Sequence, residues 1–282
     1  VKKYRTVFIG NRPSILSSLI QHPQIELVHT FVIKGSLIPE DRCASDPVTL
    51  CGPNDAGMIL DFLRSDKYDI CVSAGCPYIL PIRALPSGNV YINSHPSALP
   101  FGKGIHPINE CILSNHQKAG STLHYLSDEL DAGDIIHQET FDVTDDIDLD
   151  LLYSFIFEVE REVFDEGLRM VLAADLKYKG TPQQGEGTYY SRKLHDQNAD
   201  VRSIGTYDFL KKVRSFSSNS LGVHITLTGK EIHVFMASLL FNAFFNKRFE
   251  TAAAGDVIIS NDKFILVKLI DGIVRIDKWI VL

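Results

Sequence analysis

Thr6-Val7-Phe8-Ile9-Gly10-Asn11-Arg12-Pro13-Ser14 joins an apolar run of buried-strand length to Pro13 and Ser14, two start signals for a helix through Ile15, Leu16 and Leu19. The same grammar continues outward. Ile25 to Ile33 reads as a second strand, Asp55 to Leu63 as a helix, and Asp69 to Ser73 as a third strand. Val90-Tyr91-Ile92 gives a fourth strand and Ile105 to Leu113 a further helix. Strands separated by helices imply βαβ units, so the expected class is α/β with a mainly parallel sheet. Sites in such sheets form at the carboxyl ends of strands.

Beyond two more strand candidates, Thr122 to Leu126 and Asp134 to Gln138, the pattern changes. Thr144 is placed to cap a long helix from Ile147 to Ala174, with Leu151, Leu152, Phe155, Val159, Val163 and Leu172 as its apolar positions. Lys179 to Thr188 is rich in Gly and Gln and reads as a linker or loop. A short helix around Tyr207 to Arg214 precedes strands at Gly222 to Leu227, Ile232 to Phe235, Val257 to Ile259, Phe264 to Leu269 and Ile273 to Ile276. That spacing suggests a small barrel or sandwich. The expected division is a catalytic domain over 1–180, a linker over 181–205 and a smaller β-rich C-terminal domain over 206–282. The apolar stretch Met236 to Phe241, with Phe244 and Phe245, reads as core, or else as a dimer surface.

Composition excludes several classes. With 282 residues, 45% hydrophobic and 22% charged, the chain is ordinary globular protein rather than disordered or fibrous. No apolar run reaches 18 residues, and Thr6 to Ile9 is too short for a signal-peptide core, so the expected location is the cytoplasm. Net charge is −7; residues 1–199 carry 17 basic and 27 acidic side chains, and residues 200–282 carry 11 and 8. That is little basic surface for a nucleic-acid partner. Cys43, Cys51, Cys71, Cys76 and Cys111 are odd in number and lack a C-x-x-C pair, which points to reduced core thiols and no metal.

Three segments carry chemistry. The turn after strand one holds Gly10 but not the G-x-G-x-x-G of a dinucleotide site, which disfavours nicotinamide and flavin. A helix N-terminus favours anions, and Arg12 reads either as a phosphate contact or as a surface arginine. Strand four ends in Asn93-Ser94-His95-Pro96-Ser97-Ala98-Leu99-Pro100, and alternation puts Asn93 and His95 on one face. A carboxamide beside an imidazole suits oxyanion stabilisation and proton transfer, or simply a capped strand end. Downstream, Leu126 to Ile136 offers Asp131 in a loop that Gly133 helps to turn. If that loop returns to strand four, Asp131 orients His95 and stabilises its charged form. His106 and His124 read as core or supporting residues.

Taken in order, N-x-H-x-x-x-L-P (Asn93 to Pro100), Gly102-Lys103-Gly104-Ile105-His106-Pro107, G-x-T-x-H (Gly120 to His124) and L-D-x-G-D-I-I (Leu130 to Ile136) resemble the folate-dependent formyltransferases. The resemblance covers residues 4 to 175 and implies a Rossmann-like, mainly parallel sheet with helices on both faces, using N10-formyltetrahydrofolate without a metal. Asn93, His95 and Asp131 fall on the family's catalytic trio. Its pterin pocket would lie between Cys76 to Leu80 and the loop Leu126 to Ala132, giving Tyr78, Ile79, Leu80, Leu126 and Asp128 as cofactor contacts. Lys103 stands where an arginine is common.

The family divides by acceptor. The tail, with Lys212 to Phe216, Gly255 to Ile258 and Asp271 to Val274, resembles a shortened C-terminal domain of its tRNA and sugar enzymes. The acidic balance disfavours tRNA, whose phosphates need clustered cations. Asn11, Arg12, Lys103 and the run Gly187 to Lys193, with Tyr189, Tyr190 and Arg192, are expected to bind a nucleotide sugar. The expected reaction is therefore N-formylation of a nucleotide-linked, dTDP-type amino-dideoxy sugar, serving lipopolysaccharide O-antigen synthesis. No nucleic-acid or membrane partner is expected, and a homodimer is possible. The alternatives are a methionyl-tRNA formyltransferase, a formyltetrahydrofolate hydrolase and, against the intact Asn93, His95 and Asp131, a catalytically idle folate- or nucleotide-binding module.

Overall fold

A computed structural model describes residues 2–34, 38, 48–65, 67–114, 116, 118–191, 193–218 and 221–282. Cys43 and Arg192 lie outside the described residues. Seven strands form the first sheet: β1 (Tyr4–Gly10), β2 (Ile25–Ile33), β3 (Val48–Cys51), β4 (Ile70–Ala74), β5 (Val90–His95), β7 (Lys118–Tyr125) and β8 (Ile135–Asp142). Their order is β3-β2-β1-β4-β5-β7-β8; the short strands β6 (Lys103–Gly104) and β9 (Tyr189–Tyr190) are not members of this sheet. The pairs β2–β3, β1–β2, β1–β4 and β4–β5 are parallel, and β5–β7 is antiparallel. The α/β expectation is therefore met, with β3 as a strand the sequence pattern missed. Chain order reverses direction across the sheet beside β1 and β4, which is where such folds open a crevice at the strands' carboxyl ends.

Alternation along β1 builds two cores. Phe8 faces the layer of α1 (Pro13–Gln21) and α4 (Leu149–Ala173), where Ile15, Leu16, Leu19, Val163, Phe164 and Leu168 are buried. Val7 and Ile9 face α2 (Ala56–Leu63), with Ile59, Leu63 and Tyr68. Gly10 ends β1 so close to β4 that a Cβ there would lie 2.0 Å from the Ala74 carbonyl oxygen. Only glycine fits that approach.

Several expectations about the long helix need correction. Its first turn is capped by Asp148, whose Oδ1 accepts from the Leu151 amide at 2.9 Å, and not by the Thr144 side chain. Leu151 and Phe155 are exposed, whereas Leu152, Val159, Val163 and Leu172 are buried as expected. An apolar stripe on a 25-residue helix is narrower than the count of its apolar residues implies.

The described residues fall into two compact units, and both are discontinuous in sequence. The first comprises 1–104, 118–141 and 155–189; the second comprises 105–117, 142–154 and 190–282. The expected contiguous cuts at 180 and 205 do not coincide with these. The reason is packing: α3 (Pro107–Leu113) associates with α5 (Thr206–Ser215), and buried Asn109 donates to the Ser215 carbonyl at 2.9 Å. The second unit contains one five-stranded sheet ordered β10 (Val223–Leu227), β11 (Lys230–Leu239), β14 (Ile273–Val281), β13 (Ile265–Lys268), β12 (Val257–Ser260). Its four pairings are all antiparallel. The β-rich expectation holds as a single sheet with edges β10 and β12, in place of a barrel or sandwich.

The core reading of Met236 to Phe245 fails at three positions. Met236, Phe241 and Phe244 are 53%, 84% and 73% exposed. Phe241 and Phe244 lie beyond the end of β11, where sheet alternation no longer turns apolar residues inward. Cys51, Cys71 and Cys111 are buried and Cys76 is partly so. Burial pushes the Cys76 and Cys111 thiols up to about 11 and about 12, as inert core cysteines should be.

Candidate active site

The site grows from the carboxyl end of β5. Strand alternation sends Asn93 and His95 to one face and Ser94 to the other, as the sequence implies. Asn93 lies directly opposite His124 in the β5–β7 ladder, and His95 opposite Thr122. All four are buried.

Asp131 arrives on the loop after β7. Its backbone is left-handed at φ 50°, uncommon outside glycine and a mark of a tightly specified loop. Gly133 serves differently from a left-handed turn residue: a Cβ there would lie 1.8 Å from the Tyr125 carbonyl oxygen. The loop thus returns beside β5. Asp131 Oδ1 accepts from Asn93 Nδ2 at 3.5 Å, and Oδ2 accepts from the Gly104 amide at 2.8 Å. His95 Nδ1 is 3.8 Å from Asp131 Oδ2, within ion-pair range but beyond a hydrogen bond. The expectation that Asp131 holds His95 directly therefore needs correction. His95 is held by its other nitrogen, which meets the Gly102 carbonyl oxygen at 2.8 Å. A carbonyl can only accept, so Nε2 carries the proton and Nδ1 is the nitrogen left to face Asp131.

His124 takes the buried, supporting place that the sequence reading gave it, and it bonds to a member of the trio. Its Nδ1 donates to the Tyr125 carbonyl at 2.8 Å, leaving Nε2 as acceptor for Asn93 Nδ2 at 3.1 Å. Burial drives its pKa down to about 4, with Asp131 opposing the shift and the His95 and Lys103 charges adding to it. The ring is therefore neutral, as its role as acceptor requires. The G-x-T-x-H motif carried this signal.

Ser94 leads to a second group on the opposite face. Glu160, fully buried on α4, accepts from Ser94 Oγ at 3.1 Å and from Arg12 Nε at 3.1 Å. Arg12 Nη1 also donates to Asn11 Oδ1 at 2.6 Å, and its guanidinium lies 4.6 Å from the Phe157 ring centroid. Burial raises the Glu160 pKa, opposed by Arg12, Ser94 and His95. Arg12 is thus neutralised by an internal carboxylate.

The other expected contacts are distributed as follows. Leu80 is buried and Leu126 packs against the same core, Tyr78 is partly buried with its hydroxyl donating to the Gly52 carbonyl, and Ile79 is exposed. Asp128 Oδ2 pairs with Arg83 Nε at 2.6 Å, tying the Asp131 loop to the segment after β4. Lys103 is buried, with Nζ 5.1 Å from the Tyr189 ring centroid, and the Tyr189 hydroxyl donates to Glu129 Oε1 at 2.8 Å. Tyr190 donates to Asp196 Oδ2 at 3.1 Å, within the second unit.

Asn93, His95 and Asp131 are thus gathered at the carboxyl end of β5 in a doubly wound sheet. Residues 55–168 match the family model described as formyl transferase, in agreement with the resemblance that the motifs carry. The methionyl-tRNA formyltransferase of Mycoplasmopsis pulmonis is 26% identical over 197 residues, covering 68% of this chain and 67% of that relative. The N-formyltransferase from Helicobacter canadensis, solved with folinic acid and dTDP-3-aminofucose, superposes with a TM-score of 0.72 at 17% identity, covering 99% of this chain and 100% of that one. HypX from Aquifex aeolicus gives 0.66 at 19% identity over 98% of this chain, which spans only 45% of HypX.

Proposed function

We propose that this protein transfers a formyl group from N10-formyltetrahydrofolate to the amine of a nucleotide-linked amino-dideoxy sugar, with a dTDP sugar as the first candidate. The observation that carries the reaction class is the meeting of Asn93, His95 and Asp131 at one buried strand end. Attack by a neutral amine puts negative charge on the formyl oxygen and a surplus proton on the nitrogen. Asn93 supplies the hydrogen-bond donor for that oxygen. One of its N–H groups is held firmly by His124; the other rests on Asp131 at 3.5 Å, long enough to turn to an incoming carbonyl. His95 Nδ1 accepts the amine proton while Nε2–H stays on Gly102. Asp131 stabilises the resulting imidazolium across the 3.8 Å gap. His95 then passes that proton to the N10 nitrogen of the folate as its bond to the formyl carbon breaks and the new formamide forms.

Tyr78, Ile79, Leu80, Leu126 and Asp128 are the proposed pterin neighbours, and the Arg83–Asp128 pair joins the two segments that would enclose it. Asn11, Lys103, Tyr189, Tyr190 and Arg192 remain proposed acceptor contacts. Arg12 is a weaker anion contact than its sequence position implied, because Glu160 already balances its charge.

Two features support a sugar acceptor: the net charge of −7, and a match to a nucleotide-sugar enzyme that spans both chains end to end. O-antigen synthesis and a homodimeric state extend the same reading. A methionyl-tRNA acceptor is the second reading, favoured by relatives that carry that name. A transfer assay with N10-formyltetrahydrofolate, a panel of dTDP-, UDP- and GDP-amino sugars and charged initiator tRNA separates them. Turnover of a sugar nucleotide is expected. Transfer to tRNA alone would replace the acceptor, and formate release without any amine would make the protein a hydrolase.

A further inference from the structure

The stretch 179–188, legible in sequence only as a Gly- and Gln-rich loop, is stitched to both loops that deliver the trio. It begins at Thr181, whose amide and carbonyl exchange two 2.8 Å hydrogen bonds with Ile135 at the start of β8. Gln183 Nε2 then donates to the carbonyls of Asp131 and Gly133, at 2.8 and 2.9 Å. Both acceptors are carbonyl oxygens, which fixes the amide orientation. Farther on, Gly187 is left-handed and so close to Pro100 that a Cβ would lie 2.0 Å from its carbonyl oxygen. Thr188 completes the attachment: its Oγ1 accepts from the Gly102 amide at 2.8 Å, its carbonyl accepts from the Lys103 amide at 2.9 Å, and its amide donates to Pro100 at 3.2 Å.

These are the loops on which His95 and Asp131 depend. The Gly102 carbonyl fixes the His95 tautomer, and the Gly104 amide holds Asp131 Oδ2. We infer that Gln183 and Thr188 are positioning residues: Gln183 fixes the left-handed Asp131 turn through its carbonyls, and Thr188 fixes the 102–104 loop that aims His95 and anchors the Asp131 carboxylate. Neither touches the reacting atoms. The 3.8 Å His95–Asp131 separation has no bond of its own, so it is set by these two loops and hence by the strap across them. A misplacement of about 1 Å at such a site costs on the order of 100-fold in rate.

This inference rests on the proposed roles of His95 and Asp131, and two readouts keep its failure separate from theirs. Thr188→Val removes the acceptor at constant shape, Thr188→Ser restores it, and Gln183→Leu removes both donors. In the transfer assay, Thr188→Val and Gln183→Leu are expected to lower kcat by about 10-fold or more, with KM for both substrates within about 2-fold, and Thr188→Ser to recover most of the rate. Independently of turnover, amide hydrogen exchange at Gly102 and Gly104 should quicken in Thr188→Val and return toward wild type in Thr188→Ser. Unchanged protection of Gly104 in Thr188→Val overturns the positioning role. So does a kcat loss that Thr188→Ser fails to rescue. Absence of turnover in the wild-type protein, with the exchange pattern as expected, would overturn the formyl-transfer reading and leave the strap's structural role established.

Discussion

Asn93, His95 and His124 illustrate how much of a side chain's chemistry is set by its hydrogen-bond partners. His95→Asn is expected to lower kcat by about 100- to 10,000-fold, the usual worth of a positioned proton acceptor, with the thermal midpoint nearly unchanged. Steady-state kinetics beside a melting curve checks this, and full activity would remove His95 from the mechanism. His124 makes a pH prediction. Its folded pKa of about 4 lies below the ordinary histidine value of 6.5. Between those values the unfolded chain binds the proton and the folded chain does not, so stability falls as pH drops from 6.5 toward 4. The effect is on the order of 3 kcal/mol. Glu160, whose pKa is raised by burial, acts oppositely, favouring the folded state as pH falls toward the ordinary carboxylate value. Denaturant titrations of wild type and His124→Phe across pH 4–6.5 isolate the histidine: the variant should lack its share of the slope. The trio was readable in sequence because strand alternation and motif order are local. The His95 tautomer was not, since it depends on a carbonyl seven residues away in a loop whose path follows from packing.

At the scale of elements, α4 meets the carboxyl ends of β1 and β5 through Glu160, Arg12 and Ser94. A buried ion pair is weak evidence for net stability, but breaking it leaves an uncompensated charge. Glu160→Ala should therefore destabilise the fold by about 3–5 kcal/mol, while an apolar replacement of both partners, Arg12→Met with Glu160→Met, should recover much of that loss. Equilibrium urea unfolding tests the pair; equal losses in the single and double variants would refute it. Gly10→Ala belongs to the same scale. Its Cβ would sit 2.0 Å from the Ala74 carbonyl, so β1 and β4 must separate, and a loss of more than about 2 kcal/mol is expected in the same measurement. Apart from β3, element type was legible across the first sheet because periods of two and 3.6 residues differ plainly. Which apolar residues of α4 face inward was less so: Leu151 and Phe155 sit on its solvent side.

For the molecule as a whole, charge bears on the acceptor. At −7 overall, the chain should bind tRNA at physiological salt no more tightly than the non-specific range, about 10⁻⁴–10⁻⁶ M. Fluorescence anisotropy with labelled initiator tRNA across a salt series measures this, and submicromolar binding with a steep salt slope would favour the second reading. By itself, the sequence determined the α/β class, most strand and helix positions, and the placing of Asn93 and His95 on one face at the carboxyl end of β5. These rest on local periodicity and on motifs that occupy single turns or strands. The tertiary structure decided the make-up of the two units, the neutralisation of Arg12, the contact between His124 and Asn93, and the strap joining Asp131 to the 102–104 loop. Each of those joins residues distant in the chain, and packing and close backbone approach, which leave no periodic trace in sequence, bring them together.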